Sequence, residues 1–237
     1  MAFNFSPKIV TDGLVFYLDA ANRTSYPGSG VNWIDLSRNG NNGVLTNGPV
    51  FNSTNGGVFV FDNVNDYVDM GDKDVFTPVN GFTFDLWFRP SVLSSNTIVE
   101  KYQSGGFEYI FGIGGANLFG WVYQNSNASY RGRFISTTSS FLQVNQWAHL
   151  IFLYEGGTLT TNVKIYINSI QRDDSNFTNG TFTSMQNTPT NLTISRNTIG
   201  TGNSIGGSLG SVKMYNRALT TAEVLQNYNA TRARFGI

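Results

Sequence analysis

Alternation of apolar and polar residues along short segments is the sequence feature that most constrains how this chain folds. In segment 82–89, Phe or Leu occupies every even position, while Thr83, Asp85, Trp87 and Arg89 occupy the odd ones. A period of two puts the even side chains on one face, which is the pattern of a β-strand with one buried side. The same pattern predicts strands at 58–61, 67–70, 108–111, 119–123, 164–167 and 212–215, and the apolar run 147–154 indicates a central strand.

Turn-forming residues separate these segments. They are Asn55-Gly56-Gly57, Asn80-Gly81, Ser104-Gly105-Gly106 and Asn179-Gly180, which supply the positive φ angles that tight turns need. About a dozen short strands without helices between them indicate a sandwich or barrel rather than a parallel sheet. We therefore predict one all-β domain over residues 1–237, an antiparallel β-sandwich, because such sandwiches commonly reach this length as one unit.

One short C-terminal helix is predicted after Leu219. Thr220 and Glu223 have the spacing of a capping box, in which each side chain accepts from the backbone N–H of the other residue. Leu219 and Val224 flank the cap at the spacing of a hydrophobic staple. The helix is expected to end near Ala230.

Charge and hydropathy argue against several kinds of partner. Charged residues are 13% of the chain, the formal net charge is zero and no basic run is present, so we expect no nucleic-acid partner. No stretch approaches the ~18 apolar residues of a membrane helix, so we expect no membrane insertion. Residues 1–8 lack the basic start and apolar run of a secretory signal. We therefore expect no signal peptide, and an extracellular location reached by lysis.

Seven phrases, in order along residues 13–230, resemble those of one family. They are GLVFYLD at 13–19, WIDLSRNGNNG at 33–43, FDNVNDYV at 61–68, FTFDLWFRP at 82–90, QWAHL at 146–150, VKIYIN at 163–168 and MYNRAL at 214–219. With them the chain resembles the concanavalin A-like or laminin-G-like jelly-roll superfamily. The resemblance implies two stacked antiparallel sheets, which in the family are often glycan-binding or adhesive and often hold calcium near one rim.

Two of the first loops give a narrower resemblance. The string Tyr26-Pro27-Gly28-Ser29-Gly30 and the NGNNG string at 39–43 are similar to modules found in bacteriophage structural proteins. This resemblance implies a component of a virion surface, as a capsid decoration or part of a tail. The expected partners are then other virion proteins or further copies of this chain, together with a cell-surface glycan.

A glycosidase is the enzyme to consider on this fold, and the residues argue against it. Retaining glucanases of the family carry a Glu-x-Asp-x-x-Glu strand that sets two carboxylates about 5 Å apart. The chain has no such string, and its glutamates, Glu100, Glu108, Glu155 and Glu223, are separated in sequence. His149, the only histidine, lies in the most apolar strand, so we interpret it as a structural residue and not a general base. We expect no enzymatic activity and no catalytic residue.

An oxygen-rich loop is a candidate for calcium. Asp62 and Asp66 lie in the loop after segment 58–61, and carboxylate oxygens are ligands that calcium prefers. The family often has an Asp-Glu pair before its last strand, where this chain has Gly210-Ser211. We therefore favour the alternative that these side chains cap turns through hydrogen bonds. No cofactor is expected, and calcium at Asp62 and Asp66 is the open alternative.

Loop tyrosines are the candidates for contact with a glycan. Tyr102, Tyr123, Tyr130 and Tyr26 lie in or beside loops that are rich in Asn and Gln. Sugar faces stack on aromatic rings while neighbouring polar groups bind the hydroxyls. The alternative is that these rings are buried in the core or line a protein interface.

Together these observations predict a non-enzymatic surface protein of a virion with a glycan-binding, adhesive role. The alternative is a stand-alone carbohydrate-binding lectin, and a third class is a polysaccharide-cleaving glycosidase of the same fold. A weakly charged, near-neutral surface does little to keep copies apart, so a homo-oligomer is expected as well.

Overall fold

The computed structural model describes residues 7–93, 96–115, 117–126, 128–196 and 204–237. Residues 1–6, on which much of the expectation about a signal peptide depends, lie outside this range. Within the described residues, two antiparallel sheets and one α-helix account for the regular structure, apart from short 3₁₀ turns. The prediction of an all-β antiparallel sandwich with a single short C-terminal helix is therefore confirmed.

The first sheet, sheet A, has eight strands among the described residues. They are β1 (Leu14–Asp19), β4 (Val50–Asn52), β5 (Val58–Asp62), β7 (Phe82–Pro90), β12 (Ala148–Tyr154), β13 (Val163–Ile167), β14 (Ile170–Gln171) and β17 (Gly206–Tyr215). Their order is β14-β13-β12-β7-β17-β5-β4. The ten residues of β17 also pair with β1, so β1 and β5 share one of its edges end to end.

The second sheet, sheet B, has nine strands among the described residues. They are β2 (Asn32–Trp33), β3 (Gly43–Thr46), β6 (Tyr67–Asp69), β8 (Asn96–Gln103), β9 (Gly106–Gly114), β10 (Asn117–Tyr123), β11 (Tyr130–Ile135), β15 (Ser175–Asn179) and β16 (Thr193–Ile194). Their order is β15-β11-β10-β9-β8-β16-β6-β3-β2, so β15 is an edge strand.

The hydrophobic core fills the space between the two sheets. Alternate residues of each strand point into this space. Phe84 and Phe152 come from sheet A, while Phe111, Leu118 and Val122 come from sheet B. The rings of Phe111 and Phe152 stack across the layer with centroids 5.3 Å apart. Phe84 is fully buried, as its strand pattern predicts.

The outer face of sheet A is covered by helix α1 (Thr221–Thr231). Thr220 is its N-cap, and both hydrogen bonds of the predicted capping box with Glu223 are present. Leu219 and Val224 are buried in a second apolar cluster with Ile151 and Leu153, which point outward from β12. The helix therefore gives the outward residues of β12 a buried environment, which explains why this strand is apolar on both faces.

A polar network lies between helix α1 and sheet A. The carboxylate of Asp85 accepts from Lys213 Nζ at 2.8 Å and from Asn227 Nδ2 at 2.8 Å, and its Oδ1 lies 3.0 Å from His149 Nε2. All four side chains are fully buried. The contacts give each buried charge a partner, which such groups require in a low-dielectric environment.

The outer face of sheet B carries no α-helix in the described part of the chain. Its strands β9, β10, β11 and β15 instead present large side chains, most of them aromatic, on that face. The one α-helix among the described residues is also too short and too polar to cross a membrane.

Candidate functional site

Six aromatic side chains on the outer face of sheet B form a continuous patch, here called the aromatic surface. Its members are Phe119, Trp121 and Tyr123 of β10, Tyr130 and Phe134 of β11, and Phe177 of β15. Leu118, Val122 and Ile135 of the same strands point into the core, so alternation turns these six rings outward. Phe177 is 41% exposed, which is unusual for a ring of this size.

Strand register explains how the rings meet. Trp121 lies directly opposite Gly132, and Gly132 lies directly opposite Phe177 on the next strand. A Cβ on Gly132 would lie 2.1 Å from Trp121 Cδ1, so only glycine leaves room for the indole there. Across this bare stretch of backbone, Trp121 and Phe177 stack with centroids 4.9 Å apart and planes 6° apart.

Two neighbouring rings extend the stack. Tyr130 lies nearly parallel to Phe177, with centroids 5.6 Å apart and planes 12° apart, and it is 19° from the plane of Trp121. Phe119 lies on the other side, 4.5 Å from Trp121 and tilted by 31°. Four rings from three strands thus give a broad apolar surface that is partly open to solvent.

A shallow groove of about 150 Å³ runs along one end of the aromatic surface. It is lined by Gly114, Asn117, Phe119, Trp121, Phe134 and Phe177. All of these residues except Asn117 are aromatic or glycine, and Asn117 supplies an amide. Such an apolar depression with a few polar groups at its margin is the usual composition of a ligand site.

Polar groups stand at both ends of the patch. At the groove end, the Ser136 hydroxyl donates to the exposed carboxylate of Asp174 at 2.8 Å. At the other end, Gln124 Oε1 accepts from the backbone N–H of Thr183 at 2.8 Å. Both groups are close in sequence to rings of the patch, since Ser136 is two residues from Phe134 and Gln124 follows Tyr123.

Three of the four predicted tyrosines meet in this region. The ring of Tyr123 lies 5.0 Å from that of Tyr102 and 5.4 Å from that of Tyr130. Tyr123 is almost fully buried, and burial together with the neighbouring Tyr102 raises its pKa well above the ordinary value. Tyr123 therefore contributes packing and almost no accessible area to the patch, while the half-buried Tyr102 and Tyr130 remain partly accessible.

Tyr26 does not lie in this region and is buried, which is the alternative left open for the four candidate tyrosines. Its ring packs in the core 4.8 Å from Phe59 and 5.3 Å from Phe51, and its hydroxyl donates to the carbonyl of Gly30. The loop around it folds inward because this ring is apolar enough to fill the end of the sandwich, while the hydroxyl closes the turn. A loop position in the sequence did not imply an exposed ring.

Trp121 and Phe177, the two rings at the centre of the aromatic surface, were not among the residues predicted from the sequence. The signal for Trp121 was present, since 119, 121 and 123 are all aromatic and share one face of a strand. Phe177 stands alone among Asn, Thr and Ser, and only the pairing of β15 with β11 brings it to Trp121.

The predicted turn-capping hydrogen bonds of Asp62 and Asp66 are present. Asp62 Oδ1 accepts from the backbone N–H of Val64 at 2.8 Å and of Asn65 at 3.2 Å, and Asp66 Oδ2 accepts from the N–H of Asp62. Burial alone would raise the pKa of Asp62, but these amide donors outweigh it and lower the pKa. Burial and the nearby Asp62 charge raise the pKa of Asp66. Within the described ranges, no three His, Cys, Asp or Glu side chains group as a metal site would need.

Three of the titratable residues considered for catalysis, His149, Glu100 and Glu108, are fully buried, while Glu155 and Glu223 are partly exposed. His149 is fully buried beneath helix α1, as interpreted from its strand, and its neighbours are Asp85, Trp87 and Tyr228. Glu108 is also fully buried and forms an ion pair with Lys101. A substrate would have no access to either group without displacing the elements that cover it.

Several solved structures of similar fold are binding domains. One of them is the binding domain of botulinum neurotoxin DC in complex with SialylT. This chain aligns with it at a TM-score of 0.67 and 15% identity, and the alignment covers 93% of this chain and 52% of that one. The binding domain of paraclostridial mosquitocidal protein 1 gives 0.67 at 17% identity, with the same coverages. This chain thus spans about half the length of those toxin domains.

A third structure matches over nearly its whole length. It is domain 4 of AbnA, an extracellular arabinanase from Geobacillus stearothermophilus, in complex with arabinotriose, with a TM-score of 0.64 and 17% identity. The match covers 91% of this chain and 98% of that one. At these identities the likeness shows the fold.

The family of this chain is shown by a match of its sequence to a family model. No curated protein matches the chain. A family model described as the concanavalin A-like lectin/glucanases superfamily matches residues 61–225, which is more than half of the chain and includes strands of both sheets. The chain therefore belongs to the concanavalin A-like lectin/glucanases superfamily.

Proposed function

We propose that this chain is a non-enzymatic module that binds a saccharide on the aromatic surface of sheet B. The observation that carries the proposal is the stack of Trp121 and Phe177, partly exposed on a face that no helix covers in the described residues. Large contiguous apolar patches are rare on soluble monomers, and where they occur they often mark a binding site.

The chemistry of the patch suits a sugar. A pyranose or furanose ring has an apolar face of C–H groups, which packs against an aromatic ring, and a rim of hydroxyls that must keep hydrogen bonds. Trp121, Phe177 and Tyr130 lie within 19° of parallel to one another, so one elongated ligand can contact all three. Asn117 and Asp174 stand where hydroxyls at the groove end need partners.

The comparisons support a binding role in a coarse form. The structures of similar fold include two toxin binding domains and a domain of an arabinanase that was solved with arabinotriose. Those ligands belong to those proteins, and the extension to this chain is part of the proposal. The lack of a paired-carboxylate string in the sequence and the burial of His149 and Glu108 support a module without catalysis.

A glycan array probed with the purified chain, followed by isothermal titration calorimetry on the bound glycans, tests the proposal. Trp121→Ala and Phe177→Ala should each lower affinity by about tenfold or more, because each removes a stacking surface. Tyr67→Ala is the matched control, since Tyr67 is an outward aromatic residue of the same sheet, on β6, under the guanidinium of Arg196. An array on which nothing binds, or binding that survives both substitutions, would overturn the proposal.

The virion setting stays a prediction from the loop phrases of the first 43 residues, and so does assembly with virion proteins or further copies of the chain. It is compatible with saccharide binding, because a capsid decoration or tail component can adhere to a cell-surface glycan. An apolar patch is also what a protein interface requires. Sedimentation of the wild type and of Phe177→Asp distinguishes the two: an oligomer that dissociates in this variant would make the patch a subunit contact.

A further inference from the structure

Asp174 is an exposed carboxylate that is held in a fixed position at the groove end of the aromatic surface. Its backbone N–H donates to the carbonyl of Phe134 at 3.1 Å, and the ring of Phe134 lines the groove. The backbone nitrogen of Ser136 lies 3.2 Å from each carboxylate oxygen, and the Ser136 hydroxyl donates to Oδ2 at 2.8 Å. A carboxylate offers about four lone-pair sites. Ser136 and the Ser175 side chain together supply three donors, which hold Asp174 in place and leave it able to accept from a ligand.

The position of Asp174 follows from the strands. It immediately precedes β15 and is three residues from Phe177, so the two Cα atoms are about 10 Å apart at roughly 3.4 Å per residue. Ser175, the next residue, pairs directly with Phe134. A short oligosaccharide whose first ring lies on Phe177 would therefore bring hydroxyls of a later ring to Asp174.

The two arginines of β11 are already engaged by other groups. The positive charge of Arg133 helps to lower the pKa of Asp174. Its guanidinium donates through Nε to Asp173 at 2.7 Å and through Nη1 to Asn176. Arg131 donates to main-chain carbonyls, those of Thr158, Tyr130, Asn179 and Gly180. Arg131 and Arg133 also alternate along β11 with Tyr130 and Phe134, so their side chains leave the strand on the face opposite the aromatic surface.

Two further cations of this half of the molecule are engaged in the same way. The guanidinium of Arg172, two residues before Asp174, lies over the ring of Phe141 at 4.2 Å from its centroid. Lys101 of β8 is fully buried and pairs with Glu108 and with Asp72. Of these four cations, Arg131 and Arg133 thus face away from the aromatic surface, and Arg172 and Lys101 are held by contacts with Phe141 and with carboxylates.

From this geometry we propose that Asp174 is the specificity-determining acceptor of the aromatic surface and that the site selects neutral saccharides over saccharides carrying a carboxylate or sulfate. The inference rests on the proposed function, since it names the class of ligand for the same site. A sugar hydroxyl donates to Asp174 in a charge-assisted hydrogen bond, which is stronger than one to a neutral acceptor. An anionic substituent at that place meets a like charge, and specificity of this kind comes from the repulsive contact as much as from the attractive one.

Matched pairs of oligosaccharides test the inference. The first pair is neutral galactotetraose and acidic tetragalacturonate, and the second is neutral lactose and acidic 3′-sialyllactose. Each sugar is titrated by calorimetry at low and at high salt, and the neutral glycans of the array serve as reference. For the wild type we expect the neutral member of a bound pair to bind about tenfold tighter, with the ratio falling as salt screens the repulsion. Asp174→Asn should weaken the neutral ligand and reduce the ratio toward one. Asp12→Asn is the control for loss of one negative charge, because Asp12 is exposed and pairs with Arg217 at the N-terminal end of the chain.

The outcomes separate this inference from the proposed function. If no glycan on the array or in the pairs binds the wild type, the proposed function is wrong. If neutral and acidic members bind equally well, or if Asp174→Asn behaves like Asp12→Asn, saccharide binding stands and the role of Asp174 is wrong. Circular dichroism and the melting temperature of Asp174→Asn establish that it is folded, because its carboxylate also bonds Ser136.

Discussion

Phe177 stacks on Trp121 across the bare backbone of Gly132, with the two ring planes 6° apart. The contact joins strands β10 and β15, which are separated in sequence by strands of both sheets. Phe177 lies on an edge strand that is largely exposed, so its ring has few neighbours other than those of the aromatic surface. The stack exists because the intervening strand β11 carries a glycine between the two large rings, and the same relationship leaves both rings partly exposed.

Gly132→Ala is expected to destabilise the fold by about 1–3 kcal/mol and to lower glycan affinity. The new methyl group would lie 2.1 Å from Trp121 Cδ1 and 2.9 Å from the carbonyl oxygen of Gly120, so the indole must move away from Phe177. Urea denaturation gives the loss of stability, and calorimetry with the best glycan gives the loss of affinity. Equal stability and equal affinity for the variant and the wild type would show that the ring positions are not coupled to this glycine.

Local sequence signals predicted the elements that depend on local chemistry. The capping box places the N-cap of helix α1 at Thr220, and the alternation in 82–89 predicts β7 to within one residue. The candidate site depended on contacts that are not local. Tyr102, Tyr123 and Tyr130 were selected because they neighbour polar loops, which also selected the buried Tyr26. Phe177 carried no signal of its own, because its partner strand is chosen by packing of distant segments, and strand register is not encoded in either segment alone.

Asp62→Ala and Asp66→Ala should each lower the free energy of unfolding by about 1 kcal/mol, by equal amounts with calcium or with a chelator. Each substitution removes a side-chain acceptor of backbone N–H groups in the loop between β5 and β6. Thermal melts of the wild type and both variants, with added calcium and with EDTA, measure the effect. A wild-type melting temperature that falls on chelation, while those of the variants do not change, would instead assign a metal to this loop.

The stability that Glu223 contributes should depend on pH. Hydrogen bonds from Arg217 lower the pKa of Glu223 from 4.5 to about 2, assisted by the Thr220 backbone and hydroxyl. A lowered pKa in the folded state means that the contribution is complete above the unfolded value of 4.5 and is lost as the pH falls through about 2. At neutral pH, Glu223→Gln should therefore cost about 1 kcal/mol or less, since the group is partly exposed.

Denaturation of Glu223→Gln and the wild type at several pH values between about 7 and about 2 measures this difference, and the two proteins should converge at the acidic end. Glu155→Gln is the matched control. This carboxylate is more open to solvent than that of Glu223, so the loss of its pair with Lys164 should cost close to zero at every pH. A Glu223 difference that stayed constant over the whole range would mean that the capping residue acts without its charge.

The buried network under helix α1 gives the strongest single effect expected on stability. Burial alone would raise the pKa of Asp85, but Lys213 and His149 outweigh it and hold the pKa far below its ordinary value. Asp85 is therefore a carboxylate that must keep a positive partner, and Lys213 Nζ lies 2.8 Å from its Oδ1. Lys213→Met removes that partner while filling a similar volume, so a charge remains buried with less compensation. We expect a loss of about 3–5 kcal/mol in the free energy of unfolding.

The double variant Asp85→Asn, Lys213→Met distinguishes the charge from the packing. It removes both charges together, and the amide introduced at position 85 would still offer an acceptor to Asn227 Nδ2, which now bonds Asp85 Oδ2 at 2.8 Å. We expect the double variant to be more stable than Lys213→Met alone, because an uncompensated carboxylate costs more than a neutral amide in the same place. Urea denaturation of the two single variants and the double variant completes the cycle. If the effects of the single substitutions simply add, the ion pair is not the source of the stability, and Lys213 contributes through packing against Tyr17, whose ring centroid is 5.2 Å from Nζ.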